Sequence, residues 1–279
     1  MNRRSFVLMH IRACLLTANG LLAISCGGQP DGGGGSVSFT ISSSWAPANA
    51  STTTSYERSV SVSQMSCATT SIGPCTLNPC YGVVGSSNVP DVGQVVFRGG
   101  EMGSLAVDPS STGSYMPYLV DGELPWRAGG ELVTVAWAYT PGDVALSGGT
   151  LTLAAPPYVT LLEGSTFADA SPTLARTDDV TIAWTSDSAP GPLDQVMVNV
   201  ETGTTQVVCG FSASAGSGVI PSLVLQSLDS GTGKYNVHSK EYATQNATGA
   251  DGAPWKVSFN VDANARTSTG LASGAVTVQ

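Results

Sequence analysis

The chain has 279 residues, 42% of them hydrophobic and only 11% charged, with 20 acidic against 11 basic side chains for a formal charge of −9. Three of the basic residues and none of the acids fall within positions 1–25, so residues 26–279 carry eight against twenty, a charge of −12. That sign repels phosphate backbones and argues against nucleic-acid binding, and acids spread singly along the chain fit solubility better than one defined cationic ligand.

Arg3, Arg4 and Arg12 make a charged start, and 13 uncharged, mostly small or apolar residues follow from Ala13 to Ser25. A membrane-spanning helix needs about 20 apolar residues. Asn19 and Gly20 weaken the run further, so residues 1–25 read as a cleaved signal peptide and not as a retained anchor. The run ends Leu22, Ala23, Ile24, Ser25, Cys26, Gly27, which resembles a lipobox, with Ala23 where leucine is commoner. The resemblance implies that Cys26 becomes the first residue of the mature chain, with a diacylglycerol on its thiol and a fatty acid on its amino group. Each buried methylene contributes about 0.8 kcal/mol and two lipid signals already anchor stably, so three chains would hold the protein at the membrane permanently. By the sorting pattern of such lipoproteins, Gly27 in place of aspartate implies an outer-membrane destination in the cell envelope.

Residues 27–35, GGQPDGGGG, contain six glycines and a proline and no apolar side chain to bury. Together with Cys26 they read as a lipidated, flexible tether over 26–35, and nine such residues span roughly 16 Å root-mean-square. From Ser36 to Gln279 there are 244 residues, enough for two β-sandwiches.

Beyond the tether, period-2 runs dominate. Val133, Val135, Trp137 and Tyr139 alternate with small or polar residues, as do Val180, Ile182 and Trp184, then Val196, Val198 and Val200, and finally Trp255, Val257, Phe259 and Val261. Each run buries one face and wets the other, as antiparallel strands of a sandwich do. The fold class is therefore all-β, expected as two antiparallel Ig-like sandwiches. Pro156 and Pro157 cannot donate to a ladder and interrupt the pattern, placing the division at 36–155 and 156–279. One larger sandwich with a proline-rich crossover is the alternative. A single short helix is expected from Pro221, with Leu223, Leu225 and Leu228 apolar and Gly231 beyond its end.

Four cysteines follow Cys26, and an exported protein meets oxidising conditions. Cys67, Cys75 and Cys80, with Pro74 and Pro79 between them, are close enough for at least one local disulfide. Cys209 shares an inward face with Val207 and Phe211, so it is either a buried thiol or the partner of one of those three. No metal-ligand spacing is present, and neither a metal nor a cofactor is expected.

Catalytic residues are hard to find. His238, the one histidine after the signal peptide, alternates with Val237 and is expected on a solvated outward face. No serine has glycine at both flanking positions of a nucleophile elbow. SGTGK, ending at Lys234, lacks the upstream glycine of a phosphate loop and reads as a hairpin turn. Carboxylates brought together by the fold remain the one catalytic route, since a glycosidase needs only two. Asp178 and Asp179 are adjacent and read as the opening of the strand that contains Trp184. Trp137, Trp184 and Trp255 sit on inward faces as core anchors, whereas Trp126 and Arg127 lie in the loop DGELPWRAGG and are the candidate ligand contacts.

The segments DDVTIAW ending at Trp184, VVCGF around Cys209 and GSGVIPSLVL through Leu225, with WRAGGELVTVAW at 126–137 and APPYV at 155–159, resemble uncharacterised glycine-tethered bacterial lipoproteins. Val144 and Leu146 depart from that pattern, where a proline and a phenylalanine are expected. The resemblance covers about half of the chain, supports sandwich domains and implies no catalytic residue. Three readings of function remain: a non-catalytic structural or adhesive display module, a glycan or cell-wall binding module using Trp126, and a carboxylate-dependent hydrolase. The expected partners are the membrane through Cys26 and a glycan or envelope protein.

Overall fold

The strongest alternations in the sequence become strands, and strand pairing decides what each buried face meets. A computed structural model of the chain describes residues 36–46, 51–61, 70–78, 94–107, 118–121, 125–137, 147–249, 252 and 254–279. In chain order the first strands are β1 (Ser36–Ala46), β2 (Ser51–Ser61), β3 (Thr70–Ile72), β4 (Cys75–Asn78), β5 (Val95–Gly99) and β6 (Ser104–Val107). They continue as β7 (Tyr118–Asp121), β8 (Leu132–Trp137), β9 (Gly149–Ala154), β10 (Val159–Leu161), β11 (Thr173–Leu174) and β12 (Val180–Ser186). The last are β13 (Gln195–Thr202), β14 (Thr205–Ser212), β15 (Ser217–Ile220), β16 (Gly231–Thr248), β17 (Pro254–Asn264) and β18 (Ser273–Val278). The class is all-β.

The largest sheet runs β3-β4-β14-β13-β16-β17-β1-β2-β7, with β18 added along the first part of β16 and β11 beside β18. Two smaller sheets, β10-β12-β15 and β6-β5-β8-β9, supply the opposing faces of two hydrophobic cores. In the first core Val159, Leu161, Ile182, Trp184 and Ile220 meet Val196, Val198, Val200, Val207 and Val237. In the second, Val95, Phe97, Val133, Val135 and Trp137 meet Phe39, Ile41, Trp255, Val257, Phe259 and Val261. Full burial of such a side chain contributes about 1.5–3 kcal/mol, which is why the alternation holds wherever a second sheet covers the strand.

The division expected at 155/156 is not where the sheets part. β4, from before that point, pairs with β14, while β17, from after it, lies between β16 and β1. The cause is the length of the β16–β17 hairpin. Its β16 half places Tyr235 and Val237 in the first core, while Ala247 and the run from Trp255 to Ala263 fill the second. Asp31–Gln279 accordingly form one compact unit. Ala155, Pro156, Pro157 and Tyr158 are all buried at the seam.

Two local expectations change. The helix is a single turn, α1 (Ser222–Leu225), with Pro221 as its N-cap; it buries Val224 and Leu225 and leaves Leu223 exposed, since one turn has only one inward face. SGTGK is not a turn, because Gly231–Lys234 pair with β18 as the start of β16. Gly233 is required there, since a Cβ would lie 2.0 Å from the Glu201 carbonyl oxygen.

Candidate functional site

The loop expected to present Trp126 to a ligand is instead packed into the seam between the cores. Trp126 is 0% exposed, donates its Nε1–H to the Pro156 carbonyl at 3.1 Å and stacks on Tyr158 with ring centroids 5.5 Å apart. Arg266 covers the Tyr158 ring at 4.7 Å, and the Tyr158 hydroxyl donates to the Trp126 carbonyl at 2.9 Å. Burial raises the Tyr158 phenol and lowers the Arg266 guanidinium from their ordinary values. Gly129 lets the loop close on this stack, because a Cβ there would approach the Pro157 Cα to 2.8 Å. The exposed member is Arg127, whose Nε pairs with Glu101 at 2.7 Å. The sequence showed a polar loop with no strand face of its own. It could not show that APPYV folds over that loop.

Cys75 and Cys209 form a disulfide between β4 and β14, where they stand directly opposite each other. That resolves Cys209 as bonded and buried, and removes Cys75 from any bond within the local cluster. Cys26, Cys67 and Cys80 lie outside the described residues. His238 does share the face of Asn236 and Lys240, but it is part-buried and not solvated. Burial first, and then Lys240, push it down to about 4, and its Nδ1 is 2.8 Å from Asn236 Oδ1. It is therefore neutral at physiological pH.

The chemistry lies on the loop that joins β12 to β13. Pro190 and Pro192 prevent strand pairing there, and Asp194 closes the turn by accepting the Gly191 N–H on Oδ2 at 2.7 Å. The rest of the Asp194 carboxyl points inward, where it meets Glu241 of β16. Asp194 is 3% and Glu241 8% exposed. Burial, then the neighbouring Asp194 carboxyl, push Glu241 up to about 7. A second carboxyl beside it in a dry site favours the protonated form of Glu241.

Asp194 also lines a cleft of about 310 Å³ with Pro192, Leu193, Gln195, Ser212, Tyr242 and Thr244. Leu193 and Tyr242, on its rim, are 66% and 52% exposed, and the Lys240 ammonium stands 6.0 Å from the Tyr242 ring centre. A second, more open concavity of about 490 Å³ flanks the same loop, between Ser186–Pro190 and Ala213–Gly216, with Trp184 at its edge. A cleft of this kind can take a cation or a polar group with an apolar stem. Among the described residues no group of three or more His, Cys, Asp or Glu is placed to hold a metal ion.

One signal for Glu241 was legible: it continues the inward series Tyr235, Val237, Ser239 in β16. Asp194 had none, because PGPLD reads as an ordinary solvated turn. Compared with known proteins, the chain matches no family model and no curated protein.

Proposed function

We propose that this protein is an outer-membrane lipoprotein, held by acyl chains on Cys26, that works by display and contact without turning over a substrate. One observation carries the reading: LLAISC closes a short apolar run, and a nine-residue glycine-rich stretch then leads straight into strand-forming sequence at Ser36. Permanent anchoring with a short, pliant tether suits a body that meets its partner close to the membrane. The contact surface is the rim of the cleft, where Leu193 and Tyr242 leave apolar area in water beside Lys240. Cys26→Ala is expected to abolish incorporation of labelled fatty acid and to move the protein out of the membrane fraction. Equal labelling of the variant would end this reading. Retention of the full chain on polysaccharide, without product, narrows the contact to a glycan.

A carboxylate-dependent hydrolase is the second reading, and the Asp194–Glu241 pair beside a cleft is the observation that favours it. Both carboxyls lie below the accessible surface and hold each other, whereas a glycosidase keeps its two acids about 5–9.5 Å apart around the bond to be broken. Release of soluble products that is lost in Asp194→Asn would select this reading over display.

A further inference from the structure

We propose that Cys67 and Cys80 are joined by a second disulfide, which clamps the open end of the β3–β4 hairpin at the edge of the largest sheet. Both cysteines lie outside the described residues, but the hairpin between them is described. Its register pairs Ile72 with Cys75, Ser71 with Thr76 and Thr70 with Leu77. Each step away from the turn lowers one number and raises the other by one, so three further steps set Cys67 directly opposite Cys80. Among the described residues the opposed cysteines are Cys75 and Cys209, and these are bonded. Of the four cysteines after Cys26, that leaves Cys67 and Cys80 to each other.

Face and spacing agree with this pairing. Successive side chains of a strand alternate, so the parity that buries Cys75 assigns Cys67 and Cys80 to the other face, with Ser71 and Thr76. The Gly210 N–H donates to the Pro74 carbonyl, so Pro74 turns toward β14, Cys75 turns its backbone polar groups toward β3, and the alternation gives those of Cys80 to the β14 side. Cys67 and Cys80 thereby fall at a non-hydrogen-bonded pair. Opposed Cα atoms at such a pair are about 4.5 Å apart, inside the range of about 4.4–6.8 Å that a disulfide spans. Hydrogen bonds alone hold this edge weakly, because β3 is three residues long and Pro79 lacks the N–H that the preceding pair would donate. Closure removes two electrons from the two thiols, and a disulfide-bearing oxidant accepts them. One cysteine thiolate attacks that oxidant, the other displaces the mixed disulfide, and the oxidant leaves as two thiols carrying the two protons.

The bond is independent of the lipid anchor and of any contact at the cleft, and supplying the oxidant in the test makes it independent of export as well. The full chain in non-ionic detergent is reduced, equilibrated with glutathione and glutathione disulfide, alkylated, and cut with thermolysin. That protease cleaves ahead of Ile72 and Leu77 and so separates Cys67, Cys75 and Cys80. The Cys67 fragment is expected linked to the Cys80 fragment, and the Cys75 fragment to that of Cys209. In Cys67→Ser, Cys80 is expected to take up the alkylating reagent while Cys75 and Cys209 stay joined. At the same glutathione poise, the equilibrium constant for the Cys67–Cys80 bond is expected to fall at least about tenfold in concentrated urea, because the hairpin then no longer holds the two sulfurs opposite. Recovery of Cys67 or Cys80 from folded wild type as a free thiol or a glutathione adduct, or joined to Cys75 or Cys209, would overturn the proposal. So would an equal constant in urea, which would make closeness in sequence, and not strand register, the cause of closure.

Discussion

Replacing Trp126 with alanine should unfold the seam and leave any surface contact beside the point. Trp126 is the largest fully buried side chain described. A tryptophan buries about 150–250 Å², and at 25 cal/mol per Å² that is about 4–6 kcal/mol, of which alanine retains a small part. Truncation of a buried tryptophan costs about 3–5 kcal/mol, and the orphaned Pro156 carbonyl adds about 1 kcal/mol. We expect a loss of about 4–5 kcal/mol. For a chain of this size that lowers the melting temperature by about 10–15 °C. Trp126→Phe keeps most of the stack on Tyr158 and should lose about 1–2 kcal/mol. Arg127→Ala breaks only the exposed pair with Glu101 and should cost under about 1 kcal/mol. Urea melts followed by far-ultraviolet circular dichroism measure all three. A Trp126→Ala midpoint equal to that of wild type, with Arg127→Ala the more damaging change, would refute the reasoning.

The Cys75–Cys209 bond joins residues separated by 134 positions, so loop-closure entropy assigns it about 5 kcal/mol, and Cys75→Ala with Cys209→Ala should lower stability by a large part of that. Non-reducing peptide mapping should recover those two cysteines in one linked fragment, and recovery of Cys75 joined to Cys67 or Cys80 would show the pairing to be wrong. Glu241, near 7 in the fold against 4.5 unpaired, binds more protons folded than unfolded between those values, so stability should fall as pH rises from about 4.5 to 7. The loss is at most about 3 kcal/mol, and Glu241→Gln should abolish it. His238, held near 4 against 6.5, acts in the opposite direction, costing stability as pH falls from about 6.5 toward 4, and that limb should survive in Glu241→Gln. A variant with the wild-type pH profile on both limbs would contradict the assignment.

Features that local chemistry dictates are legible in the amino-acid order alone. Period-2 alternation is enforced by the pleat whatever the strand pairs with, so the all-β class and the inward faces of Val133, Val196 and Trp255 were legible from spacing alone. Pairing is another matter, because an alternating strand does not specify which sheet will cover it. The folded chain shows that β16 is long enough to reach both cores, which joins the sheets across residue 155. That also decided the fate of particular side chains. Trp126 looked wet because its own loop has no apolar face; the apolar face it meets is Tyr158, 32 positions away. Cys75 found Cys209 because antiparallel pairing of β4 with β14 set them opposite, a register no cysteine spacing encodes. Asp194 and Glu241 are 47 positions apart and ordinary singly; burial and the neighbouring Asp194 raise Glu241 above the usual carboxylate range, since desolvation and proximity exist only once the β12–β13 loop folds over β16.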